Sequence, residues 1–362
     1  MTGHIQRLFK IFLMLREEAR LAAVPLPRLV LDVLVFCSRT RLGPRYFVVA
    51  GMARRGFPAQ AKWRHISASS YYSALDILNP LAYRKLTQNK LAEKALYQVL
   101  NIPTATLLGF YQPYSGVAAG EPLKTVEQFE VFLATLEGEQ VCIKPVEGWG
   151  GAGVKVGQIV IDSDGPQFCT LPSGARLSAA QLIASYTSRD MSCAGFVVEA
   201  FLTQSPEFAT FNPSSLNTLR LWVLERAPGQ SEVIGAYLRV GRVGKAIDNA
   251  SAGGVMCPVE LESGILQPGL TKHTPHRDEI LRHPDHDAQL AGHQLSNWSE
   301  IVRFSCDVVT RLPHVRFAGL DVTVTALGPI LVETNVAPDK DGAAHANIPS
   351  VELKKAANTT YV

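Results

Sequence analysis

The run Ile143-Lys144-Pro145-Val146-Glu147-Gly148-Trp149-Gly150-Gly151-Ala152-Gly153-Val154-Lys155-Val156 limits the folds open to this chain more than any other segment. An apolar, strand-like stretch ends on a lysine, a glycine-rich loop follows, and a second strand-like stretch begins. Glycine lets backbone N–H groups turn toward an anion, and a lysine at a strand end adds a point charge. The segment reads as a phosphate cradle between two antiparallel strands, with an ordinary glycine-rich hairpin as the plainer alternative. It is not a P-loop, because no Gly-Lys-Ser/Thr closes it and a strand, not a helix, comes next. The same order of elements excludes a dinucleotide-binding βαβ turn.

A second segment, Gly319 to Asn335, sets two strand-like runs on either side of Leu327-Gly328-Pro329. Folding this hairpin about Leu327 places Asp321 opposite Glu333, and alternation puts Glu333 and Asn335 on one face. Like charges facing each other across a sheet are unfavourable unless a cation lies between them. Two carboxylates and an amide oxygen suit Mg²⁺ with bridging phosphates. An exposed polar hairpin end is the plainer reading, but the apolar run Pro329–Val332 before Glu333 argues for burial. A third segment, Phe196-Val197-Val198-Glu199-Ala200-Phe201-Leu202, is a β-run carrying one carboxylate, and its strand-to-loop end can hold an adenine ring. Glu207 and then Asn217-Thr218-Leu219-Arg220 follow, and Arg220 at a strand start can reach phosphate or carboxylate oxygens bidentately.

These segments sit in a chain of 362 residues, 47% hydrophobic and 19% charged. That is long enough for two or three packed lobes and unlike a disordered chain. The net charge of +3 is too near neutral to indicate a nucleic-acid partner. Cysteines 37, 142, 169, 193, 257 and 306 form no Cys-x-x-Cys pair and read as buried free thiols of a reducing compartment. No secretory signal is expected, and the apolar stretches near the N-terminus fall short of the roughly 20 residues of a membrane span. Residues 1–60 read as helices with lopsided charge: Arg7, Lys10, Arg16, Arg20, Arg28, Arg39, Arg41, Arg45, Arg54 and Arg55 against Glu17, Glu18 and Asp32. Such a basic amphipathic start either lies on an anionic membrane surface or caps the rest of the protein, and the cap is the favoured reading.

The spacing of Leu91, Ala95, Leu96, Val99 and Leu100 predicts a helix whose apolar stripe they form. Asn101-Ile102-Pro103 ends it, and a strand follows over 104–111. Further strands are predicted at 141–144, 154–161, 196–201, 218–224, 233–240, 317–325 and 330–333, with helices at 178–188 and 298–311. Paired strands with interspersed helices indicate an α+β fold. The polar, His-rich segment 270–297 reads as a loop.

Taken in order, the lysine–glycine loop, Glu199-x-x-Leu202 and Asp321…Glu333-x-Asn335 resemble the ATP-grasp superfamily. The fuller set adds Asn217-Thr-Leu-Arg220, Asp248-Asn249, Gly253-Gly254-Val255 and His283-Pro284. With these, the chain is more closely similar to the sugar-transfer-associated ATP-grasp family, over roughly residues 85–345. The resemblance implies two α+β lobes enclosing ATP, with a helical N-terminal extension. The implied divisions are a helical region 1–84, an N-terminal lobe 85–140, a small lobe with the glycine loop 141–205, and a C-terminal lobe with the Mg²⁺ site 206–362.

By the same resemblance, Lys90 and Lys144 contact the phosphates and Gly150, Gly151 and Gly153 cover them. Glu199, Phe201 and Leu202 hold adenine, with Glu207 at the ribose. Asp321, Glu333 and Asn335 bind Mg²⁺. Arg220 and Lys144 are the implied catalytic charges, Arg220 facing the reacting phosphate. The chain departs from the family pattern with Asn89 in place of an Asp, Asn335-Val336-Ala337 in place of Asn-x-Arg, and a helical rather than α/β N-terminal region. The implied activity is ATP-dependent ligation of a carboxylate to an amine, more rarely a thiol, through an acyl phosphate, forming a C–N bond in surface-polysaccharide or sugar-conjugate synthesis. A small carboxylate and a small amine are the expected partners. The expected place is the cytoplasm, peripheral to the inner membrane face if residues 1–55 bind lipid.

Three rivals stand beside this reading. A phosphotransferase on the same fold would stop after moving phosphate to a hydroxyl. A nucleotide-binding assembly protein would not need substrates. A metal protein built on His273, His276, His283, His286 and His293 has His-x-x-His spacing twice, but Pro275 and Pro284 break helical geometry and no cysteine lies near.

Overall fold

Helices occupy the start of the chain: α1 (Thr2–Leu21), α2 (Leu26–Thr40), α3 (Pro44–Val49), α4 (Ala68–Leu78), α5 (Lys85–Gln88) and α6 (Lys90–Val99). The computed structural model describes all residues except Met1, Trp149, Pro172, 188–194, 246–252, 272–274 and 360–362. The Asp248-Asn249 pair, Trp149, Cys193 and His273 therefore lie outside the described residues.

An antiparallel sheet follows, formed by β1 (Leu107–Tyr111), β2 (Val117–Ala118), β3 (Glu121–Pro122), β4 (Gln140–Pro145), β5 (Lys155–Asp162), β6 (Gly165–Thr170), β7 (Arg176–Ser178) and β8 (Phe196–Ala200). Its order is β3-β2-β1-β8-β4-β5-β6-β7. One face is covered by α7 (Val126–Ala134), whose start is fixed by a Thr125–Gln128 capping box, and by α8 (Ala179–Thr187). Phe129 and Leu133 of α7 and Leu182 of α8 fill a core with Val141, Ile143, Ile159 and Phe196. Because β1 pairs with β8, this sheet runs across residue 140. The expected boundary there falls inside one hydrogen-bonded layer.

A short helix, α9 (Pro206–Phe211), leads to the second sheet: β9 (Thr218–Ala227), β10 (Gln230–Val240), β11 (Val255–Pro258), β12 (Gly269–Thr271), β13 (Glu279–Ile280), β14 (Phe317–Thr325) and β15 (Gly328–Asn335). Its order is β13-β12-β11-β10-β9-β14-β15. Both faces are covered, so β9 and β14 are buried almost throughout rather than alternating. Leu219, Leu221 and Val223 meet α10 (Trp298–Arg311) through Ile301 and Val308. Trp222 and Leu224 meet Tyr71, Leu75 and Leu78 of α4. The chain closes with α11 (Lys340–Ala346) and α12 (Val351–Ala357), and Leu353 of α12 packs in the same cluster as α4. Helix α4 therefore belongs to the second sheet, and the expected helical region 1–84 is not one unit. Its first part is a separate cluster in which Leu15, Leu29, Val33, Phe36 and Phe47 pack around Ala344 of α11.

Candidate functional site

The two sheets face each other across a cavity of about 540 Å³. On the first wall, pairing of β4 with β8 sets Cys142 beside Glu199 and Lys144 beside Val197. Lys144 is two residues from Cys142, hence on the same face and diagonal to Glu199. Its Nζ donates to Glu199 Oε2 at 2.7 Å. Lys94 of α6 makes an ion pair with the other carboxylate oxygen at 3.4 Å, and donates to Thr104 Oγ1 at 2.6 Å. Burial opposes ionisation of Glu199, but the two lysines outweigh it and hold the carboxyl below its ordinary range. Burial also opposes the charge on Lys144, yet Glu199 prevails and its ammonium is held above its usual value. For Lys94 burial wins and the shift is downward. Glu199, expected at the adenine, lines the cavity with Ala200, Phe201 and Leu202, and its side chain is held between Lys144 and Lys94.

Helix α6 is the seam between the sheets. Lys90, Glu93, Lys94 and Tyr97, at helical spacing, form its buried face, whereas Val99 is 82% exposed. Of the expected apolar stripe, Leu91, Leu96 and Leu100 are half-buried against core clusters, while Ala95 and Val99 face outward. The polar face is buried because each group finds a partner across the cavity. Lys94 reaches the first sheet, and Lys90 Nζ lies 3.4 Å from Glu333 Oε2 on the second. Glu93 accepts hydrogen bonds from the Thr334 backbone N–H at 2.8 Å and from the Tyr97 hydroxyl, whose oxygen in turn accepts from Thr334 Oγ1–H at 2.6 Å. Burial, then the charge of Glu333, pushes the Glu93 carboxyl up to about 7.

On the second wall, cross-strand partners run in one row: Glu333, Asp321, Arg220, Tyr237. The expected register of Asp321 opposite Glu333 is the observed one, with Val332 bulged out between Glu333 and Leu331. Arg220 grips Asp321 through both Nε and Nη2, and Arg239 Nη2 donates to Asp321 Oδ2 at 2.7 Å and to Thr218 Oγ1 at 2.7 Å. Burial opposes ionisation of Asp321, but Arg220 and then Arg239 keep its carboxyl low. Glu333 suits a hard cation better. Its side chain is 30% exposed with a lysine at 3.4 Å, whereas the unpartnered buried atom of Asn335 is the amide nitrogen, a donor that cannot ligate a metal. Asp321 can join Glu333 only by loosening an arginine, so it is less committed to a metal than the sequence implied. Among the described residues, no three His, Cys, Asp or Glu side chains gather as a metal site.

The remaining expected residues divide. Gly150 and Gly151 line the cavity at positive φ. Gly153, also at positive φ, packs so closely on Pro145 that a Cβ would lie 2.8 Å from its ring. Phe201 and Leu202 continue from β8 along the cavity floor toward Gln204. Glu207 does not reach it: Ser205 caps α9, and the Glu207 carboxylate accepts from Ser296 N–H and faces His293 Nε2, both at 2.9 Å. The four described histidines of the set do not gather around one point either. His276 faces Glu18, His283 faces Gly241 O, and His286 stacks on His283. Sequence reasoning missed Lys94, Glu93 and Arg239. The i, i+3, i+4, i+7 spacing of Lys90, Glu93, Lys94 and Tyr97 carried the signal for the first two. Of the five described cysteines, which are free, only Cys257 is buried.

No curated protein matches the chain. Among solved structures it is similar to the L-amino acid ligase from Bacillus licheniformis, at TM-score 0.41 and 13% identity over 76% of this chain and 49% of that one. It is also similar to the biotin carboxylase domain of 2-oxoglutarate carboxylase from Hydrogenobacter thermophilus, at TM-score 0.45 and 12% identity over 84% and 53%. A third is D-alanyl-alanine synthetase A from Vibrio cholerae, at TM-score 0.39 and 11% identity over 73% and 60%. The chain spans about half the length of the first two. The model of the sugar-transfer associated ATP-grasp family matches residues 69–356, which takes in both sheets, α6 and every strand that lines the cavity. The chain is a member of the sugar-transfer associated ATP-grasp family.

Proposed function

We propose that this protein uses Mg-ATP to activate a small carboxylate as an acyl phosphate and passes the acyl group to an amine. One observation carries the reading: Lys144 and Lys90 meet Glu333 and Asn335 around a single cavity that continues into the Phe201–Leu202 floor. Adenine would lie along that floor, with the triphosphate between Lys144 and the glycine loop. Mg²⁺, held by Glu333 and Asn335 with Asp321 beside them, would supply charge neutralisation on the phosphates. Lys144 is kept cationic by Glu199, so its charge is in place before nucleotide arrives. Arg220 and Arg239, fixed by Asp321, line the same cavity and would face the carboxylate oxygen that attacks the γ-phosphorus. The bond from that phosphorus to ADP breaks, and ADP leaves. The amine then attacks the acyl carbon, inorganic phosphate departs, and the amine proton passes to solvent. No nucleophile of the protein is needed; the chain's part is positioning and charge.

The family's association with sugar transfer supports an amino sugar or amino acid as the amine, in surface-glycan synthesis. The test is a screen of carboxylates with ATP and hydroxylamine. Acyl hydroxamate and phosphate released together, both requiring ATP and carboxylate, are expected. A phosphorylated hydroxyl product without hydroxamate would make the protein a phosphotransferase instead, and absence of any ATP consumption would leave an assembly role.

A further inference from the structure

Helices α1 and α2 do cap the body, but only with one face each. Leu15 and Ala19 of α1 and Leu29, Val33 and Phe36 of α2 fill the N-terminal cluster. Outside it, α1 exposes Ile5 (64%), Leu8 (66%), Phe9 (60%), Phe12 and Leu13, and every residue from Gly3 to Lys10 stands clear of the body. The spacing of Ile5, Phe9, Phe12 and Arg16 places them on one stripe that ends in a cation. Helix α2 exposes Leu31 and Leu34 opposite its buried face. Side chains of this size in two helical stripes are an apolar surface that water does not favour.

The charge around these stripes is one-sided. Residues 1–55 hold ten basic side chains and three acidic ones, while the remainder, with 25 basic and 29 acidic, is net negative. The three acids are also engaged: Glu18 is buried against Arg54, Glu17 pairs with Arg20, and Asp32 lies 3.6 Å from Arg28. The surface therefore pairs apolar stripes with unbalanced cations, which is the chemistry of an interface helix on anionic lipid. Neither helix alone is long and apolar enough to cross a membrane; the two together are so by length and composition, with a bend of 116° between them.

We infer that α1 and α2 seat this protein on an anionic membrane surface, with Phe9 and Leu34 entering the acyl boundary and Lys10 and Arg16 at the headgroups. The stripes lie outside the cavity, so seating and catalysis are separable. The full chain is sedimented with vesicles of phosphatidylcholine alone or with about 30% phosphatidylglycerol. Binding to the anionic vesicles, weakened by salt, is expected. Phe9→Glu with Leu34→Glu should lower the partition coefficient by about 100-fold or more, the loss for two apolar side chains withheld from lipid. Both side chains are exposed, so thermal unfolding and ATP-dependent phosphate release in solution should stay unchanged. Lys10→Gln with Arg16→Gln should weaken the preference for anionic vesicles and flatten its salt dependence. The inference is overturned if the wild-type chain ignores vesicles, if it binds neutral and anionic vesicles alike, or if light scattering shows a dimer that the Phe9→Glu, Leu34→Glu variant dissolves.

Discussion

The two walls of the cavity both bury charge, but they balance it differently. On β4 and β8 the lone carboxylate of Glu199 faces Lys144 and Lys94, which leaves that wall positive. On β9, β10, β14 and β15, Arg220 and Arg239 face Asp321 and Glu333. Both arginines hydrogen-bond Asp321, and Glu333 has Lys90 as its ion-pair partner at 3.4 Å. A buried pair on its own says little about stability, since desolvation offsets most of the attraction. The difference between the walls says more. If the cavity takes Mg-ATP as proposed, the first wall would offer its second lysine to phosphate, and Glu333, half-exposed at the cavity, would offer its carboxylate to a cation.

Glu333→Gln attacks the second wall and should have the largest effect. Nucleotide still binds through the first wall, but turnover should fall by ~10²–10³, the range for losing one charge-stabilising group. The fold should survive, because Glu333 disfavours ionisation of buried Glu93 and the substitution relieves that. Circular-dichroism melting beside phosphate release checks both halves; a melted protein would make Glu333 structural.

Lys144→Met attacks the first wall. Loss of a charge-assisted phosphate contact, about 1.5–3 kcal/mol, predicts roughly 10–100-fold weaker nucleotide binding. Stability should drop only modestly, because Glu199 keeps Lys94 as its partner. Adding Glu199→Gln should lower the melting temperature further, by stranding buried Lys94, and leave the affinity weak. If the double variant regained affinity, Lys144 would be a scaffold residue.

Smaller effects sharpen the contrast. Gly153→Ala forces a side chain into φ +77° and against Pro145, and should raise the KM for ATP by several-fold through about 1–2 kcal/mol of strain. An unaltered KM would detach this glycine from the phosphates. Glu199 also predicts acid sensitivity. Its folded carboxyl lies below the ordinary 4.5, so its stabilisation is present above about pH 4.5 and is lost as pH falls through the folded value. Unfolding followed by tryptophan fluorescence should show a shallower acid limb in Glu199→Gln than in the wild type.

Much of this site was legible before the structure. The hairpin and its Asp321–Glu333 pair were legible, though the turn falls at Ala326-Leu327 and the pair is reached only through the bulge at Val332, which the sequence did not announce. The lysine–glycine loop was legible because glycine at positive φ has few substitutes. Helix α6 was not. Leu91, Ala95 and Val99 suggested an apolar stripe, while Lys90, Glu93 and Lys94 turn inward to partners more than 100 residues away in the chain. Local periodicity assumes an oily core, and here the seam between two sheets is charged. Glu207 failed for a related reason: its partner Ser296 comes from a distant loop that no local pattern joins to α9.

The most direct test is a calorimetric titration of the full chain with a non-hydrolysable ATP analogue, with Mg²⁺ present and then chelated. One nucleotide per chain is expected, bound more weakly without Mg²⁺, more weakly still in Lys144→Met, and with its Mg²⁺ dependence blunted in Glu333→Gln. Absence of binding, or binding that neither chelation nor the two substitutions alter, would contradict the division of labour between the walls.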